Sequence, residues 1–332
     1  MVEPKTTQSG TLSSRITGQL RGHFQQFLAF GGLILILLFF SVISPHFMTF
    51  SNVMSILMST VVIGTLAIGA TFVIASAGID LSLGTGMSLC AVMAGVFITY
   101  WGMPVPLGVA MTILFGGLIG FVNGFNVTIL KIPAFIATLA MMMVAKGLAL
   151  VISGSTPIYF SDTPSYYALS SGNIIPGIEI PNAVLLWGVA IVIAGITLSK
   201  TLFGRYVYAI GSNEEATALS GINVRRWKIA IYTFGGLFIG LAGVFISARL
   251  NSAQPALGMG YELKAIAAVV IGGTSLFGGV GTITGTVIGA LIMSVLTNGL
   301  QIVSVPQEWQ TVILGAVILG AVYLDSFRRK SS

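Results

Sequence analysis

The sequence predicts an all-α integral membrane protein with about ten transmembrane helices, and three observations predict it. Only 7% of the 332 residues are charged and 55% are hydrophobic, whereas a soluble globular domain carries roughly 25% charged residues because water must solvate its outside. Mean hydropathy is +0.98, so the apolar surface that an interior cannot hide must face lipid. The apolar residues also fall in long runs, and a bilayer core about 30 Å thick asks for roughly 20 of them per helix.

On that ruler the spans lie near 27–44, 53–76, 84–100, 105–130, 133–153, 182–199, 229–250, 263–277, 282–303 and 309–325. The first follows a polar tail carrying Lys5, Arg15 and Arg21. It is longer than a secretory h-region and runs into Pro45-His46-Phe47 without a small-residue cleavage pattern, which marks a retained helix. Between the second and third spans, Gly78 to Gly86 is broken backbone that no lipid-exposed helix would choose. It must lie at a membrane face or line a polar cavity. The third and eighth spans are short and abut glycine-rich breaks. Glycine zippers, Gly116-x-x-x-Gly120-x-x-x-Gly124 and Gly281-x-x-x-Gly285-x-x-x-Gly289, mark close helix contacts inside the subunit. The fifth span opens at Pro133 and carries Lys146 near its middle. After it comes the longest outer loop, 154–181, with Asp162, Pro164, Pro176 and Glu179 but no Lys or Arg. The longest inner loop, 200–228, holds Glu214 and Glu215 in a helix-friendly stretch, Asn213 to Ser220, which Gly221 can end. Arg225-Arg226-Trp227-Lys228 then anchors the next span at the lipid surface.

Ten spans put both termini on one side. With both cytoplasmic, tails 1–26 and 326–332 flank a single transmembrane domain, 27–325, and twelve of the fifteen Lys and Arg lie on that side. The exceptions are Lys146, Arg249 and Lys264. The net charge of +6 thus follows the positive-inside rule and does not ask for nucleic acid. There is also a weak internal repeat. Gly78-Ile79-Asp80-Leu81-Ser82-Leu83-Gly84 is echoed by Gly272-Gly273-Thr274-Ser275-Leu276-Phe277-Gly278. Each break is followed by an Asn-Gly pair, at Asn123 and Asn298, and then by a proline, Pro133 or Pro306. Such repeats often flank a substrate path.

Enzyme chemistry finds little to use here. No P-loop occurs, nor any Gly-Lys dipeptide, so the chain does not cradle nucleotide phosphates in that manner. The only histidines, His23 and His46, flank the first span, and Cys90 is the one cysteine, so no metal cluster or nucleophile–base pair suggests itself. The expectation is a path rather than an enzyme, with no cofactor bound by this chain. Polar groups near the spans are candidates to line that path: Asp80, Ser82, Asn123, Lys146, Glu262 and Asn298. Sugar hydroxyls need such donors and acceptors, and Phe135 offers a face for stacking. A charged residue inside a membrane is a functional hypothesis by default. Against it, Asp80 can cap the next helix through free backbone N–H groups, and any one of the others can serve helix–helix hydrogen bonding.

Several stretches resemble the permease subunits of ribose-type ABC sugar importers. They are Ala75-Ser76-Ala77-Gly78-Ile79-Asp80-Leu81-Ser82-Leu83-Gly84, Pro133-Ala134-Phe135-Ile136-Ala137-Thr138-Leu139, and Gly204-Arg205-Tyr206-Val207-Tyr208-Ala209-Ile210-Gly211-Ser212-Asn213-Glu214-Glu215-Ala216 continuing into Leu219-Ser220-Gly221-Ile222-Asn223-Val224. Ser252-Ala253-Gln254-Pro255, Gly260-Tyr261-Glu262-Leu263 and Ala265 to Leu276 complete the likeness, in order over nearly the whole chain. The resemblance implies a homodimeric pore in a bacterial inner membrane, importing ribose or a related monosaccharide by alternating access. A periplasmic sugar-binding protein would deliver the sugar. A cytoplasmic ABC ATPase with tandem nucleotide-binding domains would use ATP and Mg to drive it. Asn213, Glu214, Glu215, Ala216, Leu219 and Gly221 would form the segment seated in a groove of that ATPase. The alternative is an ion-gradient-coupled secondary sugar transporter, for which Asp80 and Glu262 are the candidate coupling groups.

Overall fold

The computed structural model describes the backbone of residues 10–173, 175 and 179–330, with side chains for 27–173, 175, 179–323 and 325. Lys5, Pro176 and the side chains of Arg15, Arg21, Arg328, Arg329 and Lys330 lie outside the described residues. Each of the ten expected spans overlaps a helix, the eighth only in part. They are α1 (Gly10–Ile43), α2 (Phe50–Ala75), α3 (Leu83–Gly95, carried on by a π turn, Val96–Tyr100), α4 (Val105–Thr128), α5 (Ala134–Ser153), α7 (Asn182–Lys200), α10 (Val224–Leu250), α11 (Tyr261–Ile271), α12 (Ile283–Ile302) and α13 (Gln307–Lys330). Seven of these are long and apolar enough to cross a membrane: α2, α3 with its π turn, α4, α5, α7, α10 and α12. Three short helices lie in the loops, α6 (Pro164–Ser171), α8 (Leu202–Ser212) and α9 (Glu214–Leu219).

At the centre stands α2, buried at every residue from Thr60 to Ala75. A helix apolar all round belongs in such a place. Its hydroxyls cost little there, since Thr60, Thr65 and Thr71 donate to carbonyls one turn back, and Thr71 also meets Thr286 of α12 at 2.7 Å. The two zippers act within the subunit, as expected. Along α4 and α10, Gly116 and Gly120 face Gly236 and Gly240 with backbone against backbone; a Cβ on Gly120 would strike the Tyr232 carbonyl. Along α11 and α12, Gly285 and Gly289 lie on Gly272 and Ala268. α1 packs on α12 through a separate apolar cluster, with Phe40 seated on Gly299.

The eighth span departs from expectation. α11 has 11 residues and stops at Ile271, about 16 Å of helix, so 263–277 is not one continuous crossing. Gly273, at φ +91°, turns the chain. The start of the helix is packed against α3 on one side only. β2 (Ser252–Ala253) pairs antiparallel with β1 (Ile158–Tyr159), and Ile158 packs on Gly95. The chain then descends along α3 until Gly258 meets Gly84 and Ser88, eleven residues, or about 16 Å, further down that helix. α11 begins there, with Glu262 buried toward α3 and Met259 and Leu263 exposed on the opposite side. The two glycine breaks meet at the far end of α3. The Gly279 N–H donates to the Ala75 carbonyl at 2.9 Å, and Gly278 touches Ala77.

Candidate functional site

The first break is held by its own polar residues. Ala77, at φ +60°, turns the chain just after α2, and six residues later α3 begins. Asp80 is 3% exposed. Its Oδ1 accepts from the Ser82 N–H at 2.8 Å and from the Ser82 hydroxyl at 2.6 Å. From α4, Asn123 Nδ2 donates to both Asp80 oxygens at 3.3 Å and to Ser82 Oγ at 2.9 Å. Tyr232 of α10 donates to the Ile79 carbonyl at 3.2 Å. The carboxylate therefore closes a two-residue turn on Ser82, the residue before α3, and reaches no N–H group inside the helix. It holds the break in shape and ties it to α4 through Asn123.

Glu262 lies on the other side of Gly84. It is 7% exposed in the first turn of α11, and its Oε1 accepts from the Gly260 N–H at 2.9 Å. Its second oxygen, Oε2, is buried without a hydrogen-bond partner among the described residues, as are the hydroxyls of Thr85 and Ser88. A Cβ on Gly84 would strike Glu262 Oε2 and the Gly258 carbonyl, so both glycines are needed for α11 to approach α3. The fold thus gathers Asp80, Ser82, Asn123 and Glu262 around the start of α3.

The other three candidates lie apart. Asn298 and Asn52 exchange amide hydrogen bonds at 2.9 and 3.0 Å, joining α12 to the start of α2. Phe135 is 55% exposed at the start of α5. Lys146 is half-buried on the same helix, and among the described residues no hydrogen bond or ion pair reaches its ammonium.

The inner-loop segment forms its own structure. Asn213 caps α9, its Oδ1 accepting from the Ala216 N–H at 2.9 Å, and Glu214 and Glu215 occupy the first turn. Gly221, at φ +84°, allows the chain to leave it. Glu214 pairs with Lys228 of α10 at 2.8 Å, and Leu219 is 84% exposed. α8, just before it, is fastened to both breaks: Gly211 packs on the Ala75 carbonyl and on Gly279, and Tyr208 donates to the Gly281 carbonyl at 2.7 Å. α8 therefore links the α9 segment to both breaks, by backbone packing at Gly211 and by the Tyr208 side chain.

Two features were missed by sequence reasoning. Asp325 on α13 accepts from the Leu276 N–H at 3.3 Å, joining the second break to the last helix. A polar cleft also opens between α11, α12 and α13, with Gln301, Gln307 and Gln310 among its lining. The signal for it was three glutamines within ten residues at an expected span boundary, where polarity reads simply as a loop.

The family described as Branched-chain amino acid transport system / permease component matches residues 52–322. The Ribose import permease protein of Escherichia coli K12 is 42% identical over 296 residues, covering 89% of this chain and 91% of its own. Its counterpart in Bacillus subtilis 168 is 42% identical over 329 residues, covering 99% and 100%. The Xylose transport system permease protein of Escherichia coli K12 is 36% identical over 368 aligned positions, covering 93% and 94%. No solved structure matches.

Proposed function

We infer the function from a family premise: this chain belongs to the Branched-chain amino acid transport system / permease component family, and its relatives include ribose and xylose permeases. It is the multi-pass membrane subunit of an importer, not an enzyme. The finer reading is an ATP-driven importer that moves a monosaccharide, ribose or a related pentose or hexose, from periplasm to cytoplasm by alternating access. Two copies form the pore in a bacterial inner membrane, with ten spans and cytoplasmic termini in each. A binding protein supplies the sugar, and a partner ATPase with tandem domains hydrolyses ATP with Mg.

The observation that carries this reading is the α8–α9 connector. It is exposed on one side, and on the other it packs on the end of α2 at Ala75 and is hydrogen-bonded to the second break at Gly281. A partner that closes on ATP can pull there and rock the helices that the breaks separate. Purification of the tagged chain in mild detergent should therefore bring down an ATPase with two nucleotide-binding domains. Recovery of the chain alone, still moving sugar in liposomes on an ion gradient, would overturn it.

Two further expectations test its parts. A tag inserted after Asp162, in the exposed start of the 154–181 loop, should react with an impermeant label from the periplasmic side, and labelling only from the cytoplasm would reverse the topology. Lys146 is assigned to the aqueous path, because a lysine held in hydrocarbon mid-span costs about 2.5–3.5 kcal/mol. Lys146→Leu should then cut uptake several-fold without lowering the unfolding temperature. Unchanged uptake would place that ammonium at the lipid headgroups instead.

A further inference from the structure

The outer surfaces of α12 and α13 are unlike on their two sides. Toward α1 they present Leu296, Leu300 and Ile313 to a cleft lined wholly by apolar residues, as a lipid-facing groove requires. Toward α11 they border an open cleft of about 690 Å3 that sets the polar groups of Lys264, Thr297, Gln301, Gln307, Gln310 and Thr311 beside the apolar Met259, Leu263, Leu314 and Ile318. The cleft reaches from the α12–α13 turn to Met259 and Gly260, just ahead of the start of α11.

These polar groups are only partly used. Gln310 Nε2 donates to the Val305 carbonyl at 2.8 Å, which fixes that amide at the rim. Thr297 and Thr311 donate to carbonyls of their own helices. Lys264 Nζ lies 5.3 Å over the Tyr261 ring. The amides of Gln301 and Gln307 make no hydrogen bond among the described residues, and both side chains are exposed. Free amides facing hydrocarbon would be costly, so this side meets water or a polar ligand. Each amide offers two donors and an acceptor, which suits a ligand whose every hydroxyl both gives and takes a hydrogen bond. No carboxylate lines the cavity to hold a cation.

We propose that this cleft is a station for a neutral monosaccharide on its way through the protein, with Gln301, Gln307 and Gln310 exchanging hydrogen bonds with its hydroxyls. The assignment rests on the sugar-importer reading above.

Cys90 is the only cysteine and is fully buried, so single cysteines can be read against a silent background. Gln301→Cys and Gln307→Cys, in the full chain assembled with its ATPase and reconstituted in liposomes, would be labelled with a charged, impermeant thiol reagent. D-ribose, D-xylose and D-galactose would each be added as the probe, with uptake by the unsubstituted assembly measured in parallel. The expected result is labelling that at least one of these sugars slows several-fold, and Gln301→Leu/Gln307→Leu with uptake down about tenfold at unchanged assembly. No labelling would place the cleft against lipid or a second copy and overturn the proposal. Labelling that no sugar slows, while the unsubstituted assembly takes sugar up, would overturn it and leave the importer reading standing. Failure of the unsubstituted assembly to move any sugar would bring down both.

Discussion

Asp80→Ala should lower the stability of the purified protein by about 3 kcal/mol and remove uptake with it. The substitution takes away the acceptor for the Ser82 N–H, the Ser82 hydroxyl and the Asn123 amide, all within 3.3 Å. Asn123 and Ser82 still bond each other at 2.9 Å, so part of the network survives, but the backbone N–H is left buried and bare. Each buried group so stranded costs about 1–3 kcal/mol. Read by thermal unfolding in mild detergent, that is a fall on the order of 5–10 °C. The companion variant separates a turn's acceptor from a coupling charge. Asp80→Asn keeps an oxygen for the Ser82 N–H and hydroxyl, so it should unfold within a few degrees of the parent and retain most uptake. If Asp80→Asn unfolded normally yet moved no sugar, the charge itself would be the working part, and the gradient-coupled alternative would return.

How far such a site can be foreseen depends on how local its causes are. The Asp80–Ser82 turn was legible because the acceptor and its donors lie two residues apart, ahead of an apolar run. Its tie to Asn123 crosses 43 residues, which no local pattern carries. The same divide explains the eighth span. Apolar residues run from Ala265 to Ile271 and resume at Leu276 and Phe277, so hydropathy sees one helix. The backbone turn at Gly273 and the descent of residues 254–260 along α3 depend on contacts with Gly84 and Ser88 far earlier in the chain. The zippers were legible in both position and partner class, since a row of glycines at every fourth residue serves only close approach. The echo between Asn123 and Asn298 is in composition alone: one amide holds a carboxylate at a helix start, the other an amide between helices. Phe135 and Lys146 were chosen for their chemistry, and the fold places both on α5, away from the gathered polar residues.

Glu214→Lys should abolish uptake, by tenfold or more, in a protein that is otherwise intact. Two magnitudes decide this. In the fold, the Glu214 side chain is 55% exposed though that of Lys228 is only 17% exposed; a pair open to solvent on one side is worth on the order of 1 kcal/mol, so the unfolding temperature should fall by only a few degrees and the membrane level should hold. At the proposed docking face the same change is large. α9 presents Glu214 and Glu215 in its first turn with Leu219 standing clear of the protein, and this is the surface a partner would grip. Inverting one charge there places a lysine opposite whatever cation the partner holds, and like charges brought together at an interface cost several kcal/mol. It also faces Lys228, so α9 loses its one ion pair to α10 among the described residues. The measurement is uptake by the reconstituted assembly beside co-purification of the ATPase. Both should fall together, and charge reversal on the partner should restore them. Full uptake by Glu214→Lys would remove α9 from the drive, and the links from α8 to Ala75, Gly279 and Gly281 would then only brace the two breaks.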